Sequence, residues 1–154
     1  MAGMDIGIDI DYGDHIDFSN TRLGRMFSIG PRIELRIGKH FELDLRHNFE
    51  RMDIDGERLY STNLSDLRFT YQFNIRSFLR AIVQYSDTKR DPSLYTYEVD
   101  SHSKDLTTQF LYSYKINPQT RFFIGYSDTG FQDDELSKIH KTNRTLFTKF
   151  SYAW

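Results

Sequence analysis

From Arg144 to Trp154 the chain reads RTLFTKFSYAW. On an extended backbone Leu146, Thr148, Phe150, Tyr152 and Trp154 share one side, and Thr145, Phe147, Lys149, Ser151 and Ala153 share the other. A period of two held over this length predicts a β-strand lying between two unlike environments. The same period recurs upstream, so the chain is expected to be all-β and, at 154 residues, a single domain over 1–154.

The alternation predicts strands at Met4 to Tyr12, Met26 to Ile37, Phe41 to Glu50, a stretch ending Leu67 to Phe73, Leu79 to Tyr85, Leu106 to Ile116, Phe122 to Tyr126, and the terminal segment. Leu64 is out of phase, which predicts a bulge or a late start of the fourth strand. Pro31 cannot donate to a ladder, so a kink or bulge is expected beside Gly30. Gly38-Lys39-His40, Asn74 to Ser77 and Asn117-Pro118-Gln119-Thr120 read as short turns. Gly13 to Arg25, Arg51 to Tyr60 with its Asp55-Gly56 turn signal, Asp87 to Asp105, and the stretch up to Asn143 read as longer loops. Long and short connections alternate, so all the short ones lie at one end. The expected fold is an eight-stranded antiparallel up-and-down transmembrane β-barrel.

Which face meets lipid is a question of volume. Rings make up about two in five positions on the apolar faces. An eight-stranded barrel has an interior only just filled by ordinary side chains, so these rings belong outside. They also fall at two heights. Tyr71, Phe73, Tyr114, Phe122, Tyr152 and Trp154 lie near the short turns, and Tyr12, Phe27, Phe49, Tyr85 and Tyr126 near the long loops. Two such girdles suit the two interfaces of a bilayer. Among the aligned positions His47 is the only titratable residue besides the tyrosines.

The opposite face carries acids and bases in equal number. The acids are Asp5, Asp9, Asp11, Glu34, Glu42, Asp44, Glu50 and Asp66. The bases are Arg32, Arg36, Arg46, Arg68, Arg80, Lys115, Arg121 and Lys149. Charges confined in a narrow lumen must be paired, so this set is expected to bridge the lumen as a plug rather than line an open pore. Ile82, Leu111, Phe123 and Phe147 turn inward as well, as steric filling or as a slot for an acyl chain.

Composition removes several function classes. Net charge is −2 and no basic stripe stands out, which argues against nucleic-acid binding. The absence of cysteine excludes disulfides and thiolate metal sites. No cofactor is expected. No run of apolar residues is long enough for a spanning helix, a test that barrels escape. No secretory leader opens the chain, so one is expected to have been removed.

The histidines His15, His102 and His140 fall in the expected loops near Asp14, Ser101, Ser103 and Asp133-Asp134, yet no spacing reproduces a catalytic signature. The chain is therefore read as no enzyme. A rim enzyme, an adhesive or ligand-binding surface around Tyr95 and Tyr97, and a soluble lipocalin-like binder are the alternatives.

The segment LRFTYQFNIRSFLRAIVQY, from Leu67 to Tyr85, with Tyr71-Gln72-Phe73-Asn74, Phe78, Arg80 and Gln84-Tyr85, resembles a family of bacterial outer-membrane proteins of uncharacterised function. The ending NRTLFTKFSYAW fits the same family. In it a carbohydrate-binding-like domain precedes a C-terminal barrel region. The resemblance implies a membrane barrel; taken with the alternation of short and long connections, the chain is expected to be a membrane anchor or module in the bacterial outer membrane, with long loops external and both termini periplasmic. The expected partners are the lipid bilayer or detergent, and the barrel-assembly machinery through a terminal signal of Phe150, Tyr152 and Trp154. A monomer is expected.

Overall fold

The computed structural model describes residues 2–152. Eight strands make one antiparallel sheet: β1 (Ala2–Asp17), β2 (Arg22–Ile37), β3 (Phe41–Ile54), β4 (Glu57–Asn74), β5 (Ser77–Arg90), β6 (His102–Asn117), β7 (Thr120–Gln132) and β8 (His140–Tyr152). Each pairs with its sequence neighbours in the order β1 to β8. The sheet is not closed into a barrel: β1 and β8 are its two edges. A single 3₁₀ turn, Pro92–Leu94, is the one helical element among the described residues.

The strands are longer than their apolar stretches. β1 continues past Tyr12 to Asp17, β3 past Glu50 to Ile54, and β6 begins at His102 rather than Leu106. Polar residues expected in loops are thus strand: Asp14 pairs with Arg25, Arg51 with Ser61, and Asp87 with Lys104. Ladder pairing uses the backbone and does not require apolar side chains, so the strands run on beyond the apolar band.

The connection expected over Arg51 to Tyr60 collapses to residues 55–56. Asp55 has φ 51° and Gly56 φ 88°. Both central residues are therefore left-handed, as the type I′ hairpin turn that favours Asp-Gly requires. The polar stretch Gly13 to Arg25 likewise shrinks to residues 18–21. Only the connections at 91–101 and 133–139 are long, and both lie at the same end of the sheet.

Leu64 causes no break. It pairs with Asn48 and Ser86 within a continuous β4 and lies on the charged face. The register shifts fall at Met52/Asp53 and Gln72/Asn74 instead. Beside Pro31 the β2–β3 pairing skips from Ile29–Phe49 to Arg32–Arg46 without changing register. The missing N–H interrupts the ladder there, but no residue is inserted.

Candidate functional surface: an oblique apolar band, a charged face and a covered mouth

Strand neighbours share a face, so the register transfers the alternation from one strand to the next. Tyr12 pairs with Phe27, Ile29 with Phe49, Ser65 with Tyr85, and Tyr126 with Leu146. The aligned apolar residues thus form one continuous face. It is exposed: Ile8 retains 59% of its surface, Tyr12 65% and Leu146 71%. Rings meet at both ends of it, Phe27 with Phe49 at 6.4 Å and Tyr71 edge-on to Phe73 at 5.0 Å. Tyr114, Phe122, Phe150 and Tyr152 continue the short-turn end, and Tyr85 and Tyr126 the loop end. Trp154 lies outside the described residues.

The band crosses the strands at a slant. On β1 and β2 it ends at the Tyr12–Phe27 pair, beyond which come Asp14 and Arg25. On β7 and β8 it ends at Tyr126–Leu146, beyond which come Asp128 and Arg144. Followed through Phe110, Ala81, Phe69, Leu43 and Leu35, the Tyr126–Leu146 row arrives on β1 at Met4, not at Tyr12. The edge therefore drops by about one residue per strand. At ~3.3 Å per residue and ~4.8 Å between strands, that drop corresponds to strands tilted roughly 40° from the normal to the band.

Just past the loop-end edge the same face turns charged. Asp53 accepts from Arg51 at 3.1 Å and from Arg58 at 3.5 Å. Asp128 accepts from Lys141 at 2.7 Å and from the Tyr126 hydroxyl at 2.8 Å, and lies 3.6 Å from Arg144. The Lys141 bond first, and the Tyr126 bond with it, hold the Asp128 carboxyl below the usual range. Asp87 lies 3.0 Å from His102 and 4.0 Å from Lys104. Arg25 approaches Asp14 at 3.9 Å.

On the opposite face, carboxylates and guanidinium groups fall in neighbouring rows. Asp5, Glu34, Asp44 and Arg68 make one row, and Arg32, Arg46 and Asp66 the next. Ion pairs run between neighbouring rows along a strand, Arg46 to Asp44 at 2.9 Å and Arg36 to Glu34 at 3.6 Å, and within a row from Arg36 to its register partner Glu42 at 3.2 Å. Gln84 donates to Asp66 at 2.8 Å, and Asp11 lies 3.2 Å from His15. Among the described residues Asp5, Asp9, Arg32, Arg68, Arg80, Lys115, Arg121 and Lys149 form no ion pair. The arginine pairs lie on β2 and β3: Arg46–Asp44 and Arg36–Glu34 each within one strand, and Arg36–Glu42 between the two. Further along this face Arg80, Ile82, Gln109, Leu111, Ser127 and Phe147 line a hollow of about 320 Å³.

At the loop end the charged face is covered. Met52, Ile54 and Leu59 are the buried hydrophobic residues among those described, and Tyr60, Leu94 and Tyr95 pack on them. Gly24 is glycine because a Cβ would run into Ile54 and Met52. Leu94 and Tyr95 belong to the 91–101 connection, which is therefore folded inward over the sheet. Polar ties hold it. The Asp91 amide donates to the Leu59 carbonyl at 3.1 Å. The Arg22 guanidinium donates to the Leu94 carbonyl and, at 3.0 Å, to Asp17. The Thr96 hydroxyl donates to Asn20 at 2.9 Å.

Asp17 is only 7% exposed. Burial alone would raise its pKa, but hydrogen bonds from Asn20 and Arg22 and the Arg22 charge bring it below the usual range. Tyr60 donates to Glu50 at 2.6 Å, and burial first, then that bond, push the Tyr60 hydroxyl well above its ordinary value. On the far side of the loop Asp134 accepts from the Ser101 hydroxyl at 2.8 Å and the His102 amide at 2.9 Å. The Ser101 backbone and side-chain bonds depress its pKa.

The three histidines expected in loops stand on β1, β6 and β8 instead. His102 and Asp87 form a dyad, a pairing hidden in the sequence because the polar stretch from Asp87 to Asp105 reads as one long loop. The nearby hydroxyls are committed elsewhere: Ser101 donates to Asp134, and Ser103 accepts from Arg90 at 2.9 Å. Tyr97 is half exposed and stacks edge-on against Tyr95 at 5.8 Å. Among the described residues no group of His, Asp and Glu is placed to hold a metal ion.

The fold defines an up-and-down antiparallel β-sheet protein with one apolar and one charged face. No family model, no curated protein and no solved structure matches the chain.

Proposed function

We propose that this chain is the wall of an outer-membrane β-barrel that serves as a structural anchor, with its charged face inward and its external mouth covered. The observation that carries this reading is the slanted apolar band. Strands of a closed barrel tilt by roughly 35–45°, which offsets the edge of a level band by about one residue per strand; a soluble barrel would turn such a band inward, and here it is the exposed face. The stretch from Met4 to Tyr12 is also about as long as a tilted strand needs to cross the hydrocarbon core.

In a bilayer the edges β1 and β8 are paired, because unsatisfied backbone groups are too costly to face lipid. Phe150 and Tyr152, on the outer face of the β8 edge, are the residues offered to the assembly machinery. The ion pairs of β2 and β3 and the inward-folded 91–101 connection favour a plugged interior over an open pore.

The test is refolding of the purified chain into detergent micelles, followed by gel migration before and after boiling. A folded membrane barrel migrates differently in the unboiled sample. A monodisperse, folded protein in detergent-free buffer with no mobility difference overturns the reading in favour of a soluble binder. Large steady currents in planar bilayers overturn the plugged interior alone.

A further inference from the structure

The charged belt beyond the apolar band is not needed to end the band, and it is not neutral. Each of Asp53 and Asp128 is shared by two cations, Arg51 with Arg58 and Lys141 with Arg144. Each cluster therefore keeps one uncompensated positive charge. Between them on the same face stands Lys89, paired in register with Ser61 and His102, and no carboxylate lies within ion-pair distance of it among the described residues. The outermost cations reach into solvent: the side chains of Arg58, Lys141 and Arg144 are 53%, 57% and 63% exposed.

The position of this excess selects its partner. It lies on the apolar face and follows the slanted edge of the band from β3 to β8, one or two pairs past the Phe49, Tyr85 and Tyr126 girdle. An anion that meets all three places must itself be arrayed along a lipid surface. Guanidinium groups and ammonium groups recognise phosphate oxygens, the former through two parallel hydrogen bonds. Cations at such a height gain most from an anionic leaflet within a Debye length.

We infer that the belt of Arg58, Lys89, Lys141 and Arg144 binds phosphate-bearing lipid headgroups of the leaflet at the loop end. This inference rests on the membrane reading above. It goes beyond it by assigning a lipid class and the residues that select it.

The experiment compares the wild-type chain with an Arg58→Gln, Lys89→Gln, Lys141→Gln, Arg144→Gln variant. Both are folded into phosphatidylcholine vesicles and into phosphatidylcholine vesicles doped with phosphatidic acid. The readout is the temperature at which the folded, fast-migrating band is lost. The expected result is that both proteins fold alike in phosphatidylcholine, and that phosphatidic acid raises the midpoint several degrees for the wild type only, an effect erased by high salt.

An equal rise in the variant overturns the inference. So does an equal rise with inorganic phosphate added to phosphatidylcholine vesicles, which would make the belt a site for a soluble anion. If the fourfold variant does not fold, Lys89→Gln alone must shrink the rise, and Arg58→Lys with Arg144→Lys must preserve it. Failure of the wild type to fold in any vesicle brings down the membrane reading itself, an outcome distinct from folding without lipid selectivity.

Discussion

The ring of Phe147 on β8 occupies the space that a side chain at Gly125 on β7 would fill. The two residues are register partners, and a Cβ added at Gly125 would fall on the ring atoms. Gly125 is thus required by a close approach, in the middle of a strand where glycine is otherwise unfavourable.

Gly125→Val is expected to drive the Phe147 ring out and destabilise the fold by about 1–3 kcal/mol, the usual range for overpacking. Pairing it with Phe147→Ala should recover part of the loss. A double-mutant cycle on urea midpoints measures the coupling, and simple additivity would show that the ring yields without cost.

Ile8→Lys places a charge near the middle of the apolar band, on a side chain already 59% exposed in the chain by itself. In a bilayer the cost is expected to be roughly 2–4 kcal/mol. For a soluble sheet an exposed Ile-to-Lys change would be nearly neutral. Folding yields into vesicles for the two chains separate these outcomes.

Tyr60→Phe removes the donor to Glu50 and is expected to cost about 0.5–1.5 kcal/mol. The effect should be local. Hydrogen exchange at the Asp91 amide, which is bonded to the Leu59 carbonyl, should accelerate more than exchange at the Tyr126–Leu146 pair. Uniform acceleration across the sheet would contradict a local role for the loop-end cluster.

Acid should loosen the inward-folded connection. Asp17 and Asp134 have folded-state pKa values below their ordinary ones. A depressed carboxyl contributes stability that is present above the unfolded value, about 3.9, and is lost as pH falls through the folded value. Cleavage by an acid-active protease between Asp91 and Ser101 should therefore rise below about pH 4. Asp17→Asn should make the loop susceptible already at neutral pH, with less further change on acidification. A cleavage rate independent of both pH and the substitution would rule out the Asp17 tie.

The Asp55-Gly56 dipeptide was legible as a turn, but its length was not. The polar residues around it, Arg51, Asp53 and Arg58, looked like loop and are instead the ends of two paired strands. The same misreading placed His102 and Asp87 in one loop, when they stand on neighbouring strands 3.0 Å apart. Composition records what a side chain would bury, and at these positions the strand is held by backbone pairing and by polar side-chain contacts such as Arg58 to Asp53, not by apolar burial. The bulge beside Leu59 was equally hidden. One extra residue on β4 opposite Met52 and Asp53 places Leu59 in the loop-end core, and no alternation pattern signals it.

By itself the sequence determined the number of strands and the two unlike faces, because side chains on an extended backbone alternate with a period of two and leave no other arrangement of RTLFTKFSY. Tertiary structure decided the register, and with it the slant of the apolar band, the belt of shared cations beyond it, and the connection folded over the mouth. Those depend on which residues of separate strands lie opposite one another. That choice is made by the turns, the bulges and the contacts of Leu94 and Tyr95 with Met52 and Ile54, over distances that local alternation does not encode.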